Sequence, residues 1–140
     1  MSAKMTLLAV AGRDYALPVD CIRHILAEVP VFPLVRLRAG FSGVFLFEGE
    51  IIPLLEPSMV PGIDGERVCA APYVVICQSD YGGVGVPVER AVRIVETQEG
   101  SVSPAPPGTE PALVSQIFLW RGHPYPMLDV DTLLAQLSYQ

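Results

Sequence analysis

Two stretches of this chain, 69 positions apart, are written almost alike: "ALPVDCIRHIL" at 16–26 and "GVPVERAVRIV" at 85–95. A small residue, an aliphatic, a Pro, a Val, an acid and a later Ile-aliphatic pair coincide. A second pair, "FEGEIIPLLE" at 47–56 and "WRGHPYPMLD" at 120–129, lies 73 apart and shares an aromatic, Gly, Pro, Leu and an acid. Chance likeness between apolar hairpins is the competing explanation, but two matches at nearly equal spacing favour an internal duplication. This repetition constrains the fold more than any single residue does. Whatever the first half-unit builds (about 5–56), the second (about 73–129) builds again.

Each half reads as β structure. Its apolar runs are short, rich in Val, Ile, Leu and Phe, and bounded by Gly and Pro signals at the spacing of barrels or sandwiches. The pieces Gly-Arg-Asp and Asp-Tyr-Gly-Gly supply the positive-φ positions that hairpin loops need. Pro18, Pro53, Pro87 and Pro126 fall inside apolar runs, so those positions belong to edges, bulges or corners, where no ladder donor is missed. "VERAVRIV" (88–95) fits helical spacing as well as a strand, and a single helical turn leading into a strand would satisfy both signals. "DVDTLLAQL" (129–137) predicts the one helix, with acids in its first turn and Leu133, Leu134 and Leu137 on one face. Residues 57–72 read as a connector, and 98–111, with four prolines, as a surface loop.

At 140 residues the chain suits one domain able to bury about 68–70% of its unfolded surface. Hydrophobic content of 51% and mean hydropathy of +0.42 leave two explanations: strands buried on both faces, or an apolar docking surface. No run approaches the roughly 18 apolar residues of a membrane span. The apolar stretch Met5–Ala11 is short for a signal peptide, so the expected location is cytoplasmic. A net charge of −6 without basic clusters disfavours nucleic acid and anionic membranes. Three cysteines (Cys21, Cys69, Cys77) with no CxxC spacing suggest neither a disulfide framework nor a zinc ribbon.

Little in the chain suggests catalysis. Cys21 and His24, three apart, lack a group to orient the imidazole and an oxyanion hole. His24 and His123 show no metal-ligand spacing, and no cofactor motif is present. Of Asp129 and Asp131, one is better read as ending the strand and the other as capping the helix than both as an acid–base pair. "DYGGVG" lacks the Lys of a phosphate cradle. A small-ligand or nucleic-acid-binding β-barrel is the alternative from another class, but its aromatics would interleave with a basic groove, and here they are scattered.

Four blocks in order, "RDYALPVDCIRHIL", "GFSGVFLFEGEIIPLLEP", "YVVICQSDYGGVGVPVERAVRIVE" and "GHPYPMLDVDTLL", resemble the CheW-like domain of bacterial chemotaxis over about 5–137. The resemblance implies an all-β fold with one C-terminal helix: two pseudo-symmetric five-stranded β-barrel subdomains around a shared hydrophobic core. It implies a non-enzymatic adaptor between the cytoplasmic tips of methyl-accepting chemoreceptors and the regulatory domain of a CheA-type histidine kinase. The first hairpin, "GVFLFEGEIIPLLE" (43–56), two apolar strands pinched around a Glu-Gly tip, departs from the family. Leu46 falls where the family usually has Asn, and Glu48 where it has an Arg associated with coupling. A reversed charge at a contact turns attraction into repulsion, so altered partner choice is expected. The expected partner-binding residues are Val44, Phe45, Leu46, Glu48, Gly49, Val86 and Val88.

Overall fold

A computed structural model of the chain describes residues 3–10, 12–33, 41–56, 73–105 and 116–137. Eleven strands and one helix follow in order among them: β1 Lys4–Val10, β2 Arg13–Pro18, β3 Ile22–Ala27, β4 Phe41–Phe47, β5 Glu50–Leu55, β6 Tyr73–Ser79, β7 Gly82–Val88, β8 Arg90–Glu96, β9 Gly100–Pro104, β10 Gln116–Trp120, β11 His123–Pro126 and α1 Val130–Leu137. Short 3-10 turns at Val19–Cys21 and Thr97–Glu99 lead into β3 and β9. The helical turn expected to lead into a strand at 88–95 is not there, since β7 runs to Val88 and β8 starts at Arg90. It is the matching stretch 19–27 that has such a turn before its strand.

Ladder registers repeat at the spacing of the sequence matches. Met5↔Pro18 and Thr6↔Leu17 in the β1–β2 hairpin have their counterparts 69 positions on, Val74↔Pro87 and Val75↔Val86, in β6–β7. Val44↔Pro53 and Phe47↔Glu50 in β4–β5 are matched 73 positions on by Ile117↔Pro126 and Trp120↔His123 in β10–β11. The third strand of each half crosses to the other: β3 pairs with β6, and β8 with β1. These crossed ladders also agree, Ala27↔Tyr73 with Lys4↔Glu96 and Leu26↔Val74 with Met5↔Val95, and each carries one irregularity, between Ile22 and His24 or between Leu7 and Ala9.

The mostly-β fold with one small helix is as expected, but the described strands do not form the expected two five-stranded barrels around a shared core. The described strands form three open sheets, ordered β2-β1-β8, β11-β10-β9 and β3-β6-β7-β5-β4. Because β3 and β8 each complete the other half's hairpin, neither half closes on itself among the described residues. Residues 98–111 are corrected as well: Gly100–Pro104 form β9 against β10, with Pro104 ending the strand, and 106–111 lie outside the described residues. So does the connector 57–72.

The exchange sets the core. A central cluster draws Leu8, Tyr15 and Leu17 from the β1–β2 hairpin, Val75 and Val86 from β6–β7, and Leu128 and Leu134 from the C-terminal segment. Two satellites flank it, one around Phe118 and Trp120 and one around Phe45, Ile52 and Ile76. Met5–Val10 of β1 and Val74–Cys77 of β6 are buried without a break, which accounts for much of the apolar content, since strands covered on both faces need no polar alternation. Pro87 lies in the interior strand β7, but β5 meets β7 at the single parallel pair Leu54↔Gly85, so the missing donor falls beyond the pairing.

Asp129 caps α1: its carboxylate accepts from the Thr132 N–H at 3.1 Å and the Thr132 hydroxyl at 2.7 Å. Asp131 instead accepts from the Asp80 N–H at 2.7 Å, tying the helix to the β6–β7 turn. Both aspartates thus hold structure together.

Candidate functional site

The β4–β5 hairpin is closed by Phe47↔Glu50 and turned by Glu48 and Gly49, at φ 49° and 82°. Two successive positive φ values are the geometry of a tight two-residue turn matched to strand twist, and they place a non-glycine residue in the left-handed region. A Cβ built on Gly49 would meet nothing within 4 Å, so the tip projects freely. Glu48 at its apex is exposed and makes no ion pair among the described residues.

Alternation divides the hairpin into two faces. Phe45, Ile52 and Leu54 point inward, and Phe45 packs its ring against the backbone of Gly85 so closely that a Cβ there would lie 2.6 Å from the ring. On the outer face Leu46 and Ile51 sit directly opposite one another, 62% and 70% exposed. Val44, half-buried, continues this face next to Pro53 and exchanges two backbone hydrogen bonds with Phe32, N–O distances 2.8 and 3.0 Å. Phe32 is itself 53% exposed. An apolar strip therefore runs from Phe32 along Val44 to Leu46 and Ile51 and ends at the Glu48 carboxylate.

Of the residues expected to bind a partner, Val44, Leu46, Glu48 and Gly49 lie together on this outer face or tip. Phe45, Val86 and Val88 do not: at 0–2% exposure they belong to the core. Adjacent strand residues face opposite ways, so Val44 and Phe45 could not both be presented. Sequence reasoning missed Ile51 and Phe32. Ile51 was findable as the cross-strand partner of Leu46 in a two-residue hairpin; Phe32 reaches β4 only through a tertiary bridge. It also missed Arg23, whose guanidinium on β3 holds Glu50 at 3.0 Å beside the tip.

The second hairpin is a counterpart of opposite charge. Arg121 and Gly122 form its turn, again with positive φ (49° and 76°), and Arg121 stands 73 positions after Glu48. His123 lies 3.5 Å from Asp14 and meets Tyr125 edge-on.

The Cys21–His24 pair does not assemble. The His24 ring lies against Phe47. Burial, then the charges of Asp131, Asp20 and Asp129, push the Cys21 thiol up, away from the thiolate a nucleophile requires. Cys77, fully buried, is pushed up to about 12 by burial, with Cys21 adding to it. Cys69 lies outside the described residues. No group of three His, Cys, Asp or Glu side chains able to hold a metal occurs among the described residues, and no helix there is long and apolar enough to cross a membrane.

Comparison with known proteins gives the family and the fold. The sequence pattern of the CheW-like domain matches residues 4–138. Among solved structures, the chain is similar to the scaffolding protein TtCheW of Thermoanaerobacter tengcongensis, with a TM-score of 0.77 at 18% identity, covering 95% of this chain and 92% of that one. No curated protein matches. The chain belongs to the CheW-like domain family, a family of non-enzymatic scaffold and adaptor proteins of chemotaxis.

Proposed function

We propose that this chain is a cytoplasmic adaptor that couples the tips of methyl-accepting chemoreceptors to the regulatory domain of a CheA-type histidine kinase, and that its β4–β5 hairpin selects the partner. The observation that carries the reading is the Leu46–Ile51 pair. Two large aliphatic side chains stand outward on a rigid ladder at 62% and 70% exposure beside one carboxylate. Covering such a pair on docking contributes roughly 1.5–3 kcal/mol per side chain, enough to anchor a modest interface. Glu48 then acts as the discriminating element. A partner presenting a cation is favoured, and one presenting a carboxylate is repelled.

The test is a calorimetric titration of the chain with the kinase regulatory domain and with a receptor-tip helical hairpin from the same organism. Saturable binding to at least one is expected; binding to neither removes the proposal. Glu48→Arg is expected to strengthen binding to a conventional receptor tip severalfold. An unchanged affinity would place Glu48 outside that contact.

A further inference from the structure

In the two sheets that do not include the selecting hairpin, two cations are gathered around one indole. The Arg93 guanidinium of β8 lies 5.4 Å from the Trp120 ring centroid, and that of Arg121, at the second hairpin's tip, lies 4.5 Å from it. Two positive charges are thus held within roughly 10 Å of each other, about one Debye length at 0.1 M salt, where they repel. In a chain with 15 acids against nine Lys and Arg, neither guanidinium has a carboxylate within ion-pairing distance among the described residues. The indole offsets part of the repulsion, and no protein group among the described residues occupies the fork donors of either arginine.

These groups line an open cleft of about 400 Å³, together with Lys4, Ile94, Glu96 and Glu99. Glu99 accepts from the Trp120 Nε1–H at 3.4 Å and so steadies the ring on which the arginines rest. Ile94, 56% exposed, adds an apolar surface on the same cleft. We propose that this cleft is an anion-recognition site that takes the carboxylate of a single acidic side chain presented by a partner protein. Arg93 and Arg121 supply planar donors suited to a carboxylate, and Ile94 packs against an apolar neighbour of the incoming acid. Glu96 and Glu99 repel a second negative charge, which disfavours a polyanion such as a nucleic acid. The adaptor reading supplies the expectation that the carboxylate comes from a protein, but the site shares no residue with Leu46, Ile51 and Glu48, and its test involves neither kinase nor receptor.

Trp120 is the only Trp in the chain, so its emission reports on the cleft directly. The full chain is titrated into the millimolar range with acetyl-Gly-Glu-Leu-Gly-amide, with the same peptide carrying Gln in place of Glu, and with sodium acetate. A saturable change with the Glu peptide is expected, at least tenfold weaker with the Gln peptide or acetate, and weakened by added salt. Arg93→Gln and Arg121→Asn, the latter a residue that readily adopts positive φ, are each expected to weaken binding at least fivefold, with circular dichroism unchanged. No saturable change, or binding that survives both substitutions, overturns the site. Acetate binding as tightly as the Glu peptide overturns the assignment to a protein partner.

Discussion

Thr6 is 1% exposed, and its hydroxyl finds no hydrogen-bond partner among the described residues. A buried hydroxyl left unpaired costs roughly 1–3 kcal/mol, so Thr6→Val, which keeps the shape and removes the polar atom, is expected to stabilise the fold by about 1 kcal/mol. Urea unfolding checks this: the midpoint rises and the slope stays the same. Cys77 gives a pH signature. Its thiol is held neutral up to about 12 in the folded chain but ionises near 8.5 once unfolded. The unfolded state therefore binds fewer protons between these values, and the folded state's stability from the neutral thiol is full below pH 8.5 and lost as pH rises toward 12. The expected slope is about −1.4 kcal/mol per pH unit. Denaturation midpoints measured across that range are expected to fall more steeply for the native chain than for Cys77→Ala.

At the scale of elements, the β5–β7 junction depends on Phe45 lying across Gly85, where a Cβ would come within 2.6 Å of the ring and 3.0 Å of Val74. Gly85→Ala is expected to destabilise by about 1–3 kcal/mol through overpacking, read as a lowered melting temperature; an unchanged one would mean that the ring moves freely. The hairpins themselves were legible in the sequence, because "EG" and "RG" between apolar runs call for a two-residue turn, and both tips adopt it. The helix was legible through Asp129, which makes the cap its residue type suggests. Two features were not. Strand β9 hides in a Pro-rich stretch whose first proline, Pro104, ends the strand and does not interrupt it. The placement of Phe45, Val86 and Val88 in the core depends on strand parity, and the register shift between Phe41 and Gly43 has no mark in the sequence.

For the whole molecule, the repeat was readable because ladder registers recur at the spacing of the matching residues, but the exchange of β3 and β8 was not. Both β1 and β6 are continuous apolar strands, so the pattern of β3 suits either, and the choice is made only in tertiary packing. The exchange predicts that neither half folds alone, since each would leave a hairpin edge and part of the shared core unpaired. Fragments 1–56 and 73–140 are expected to lack cooperative unfolding separately and to regain it on mixing; a cooperatively folding single fragment would contradict the exchange. The central claim, that the molecule works by contact at its first hairpin, is tested most directly by amide hydrogen exchange of the chain with and without the kinase regulatory domain and a receptor tip. Slowed exchange across 44–52 in at least one complex is predicted, lost in Leu46→Asp. Formation of either complex with exchange at 44–52 unaltered in both would contradict it.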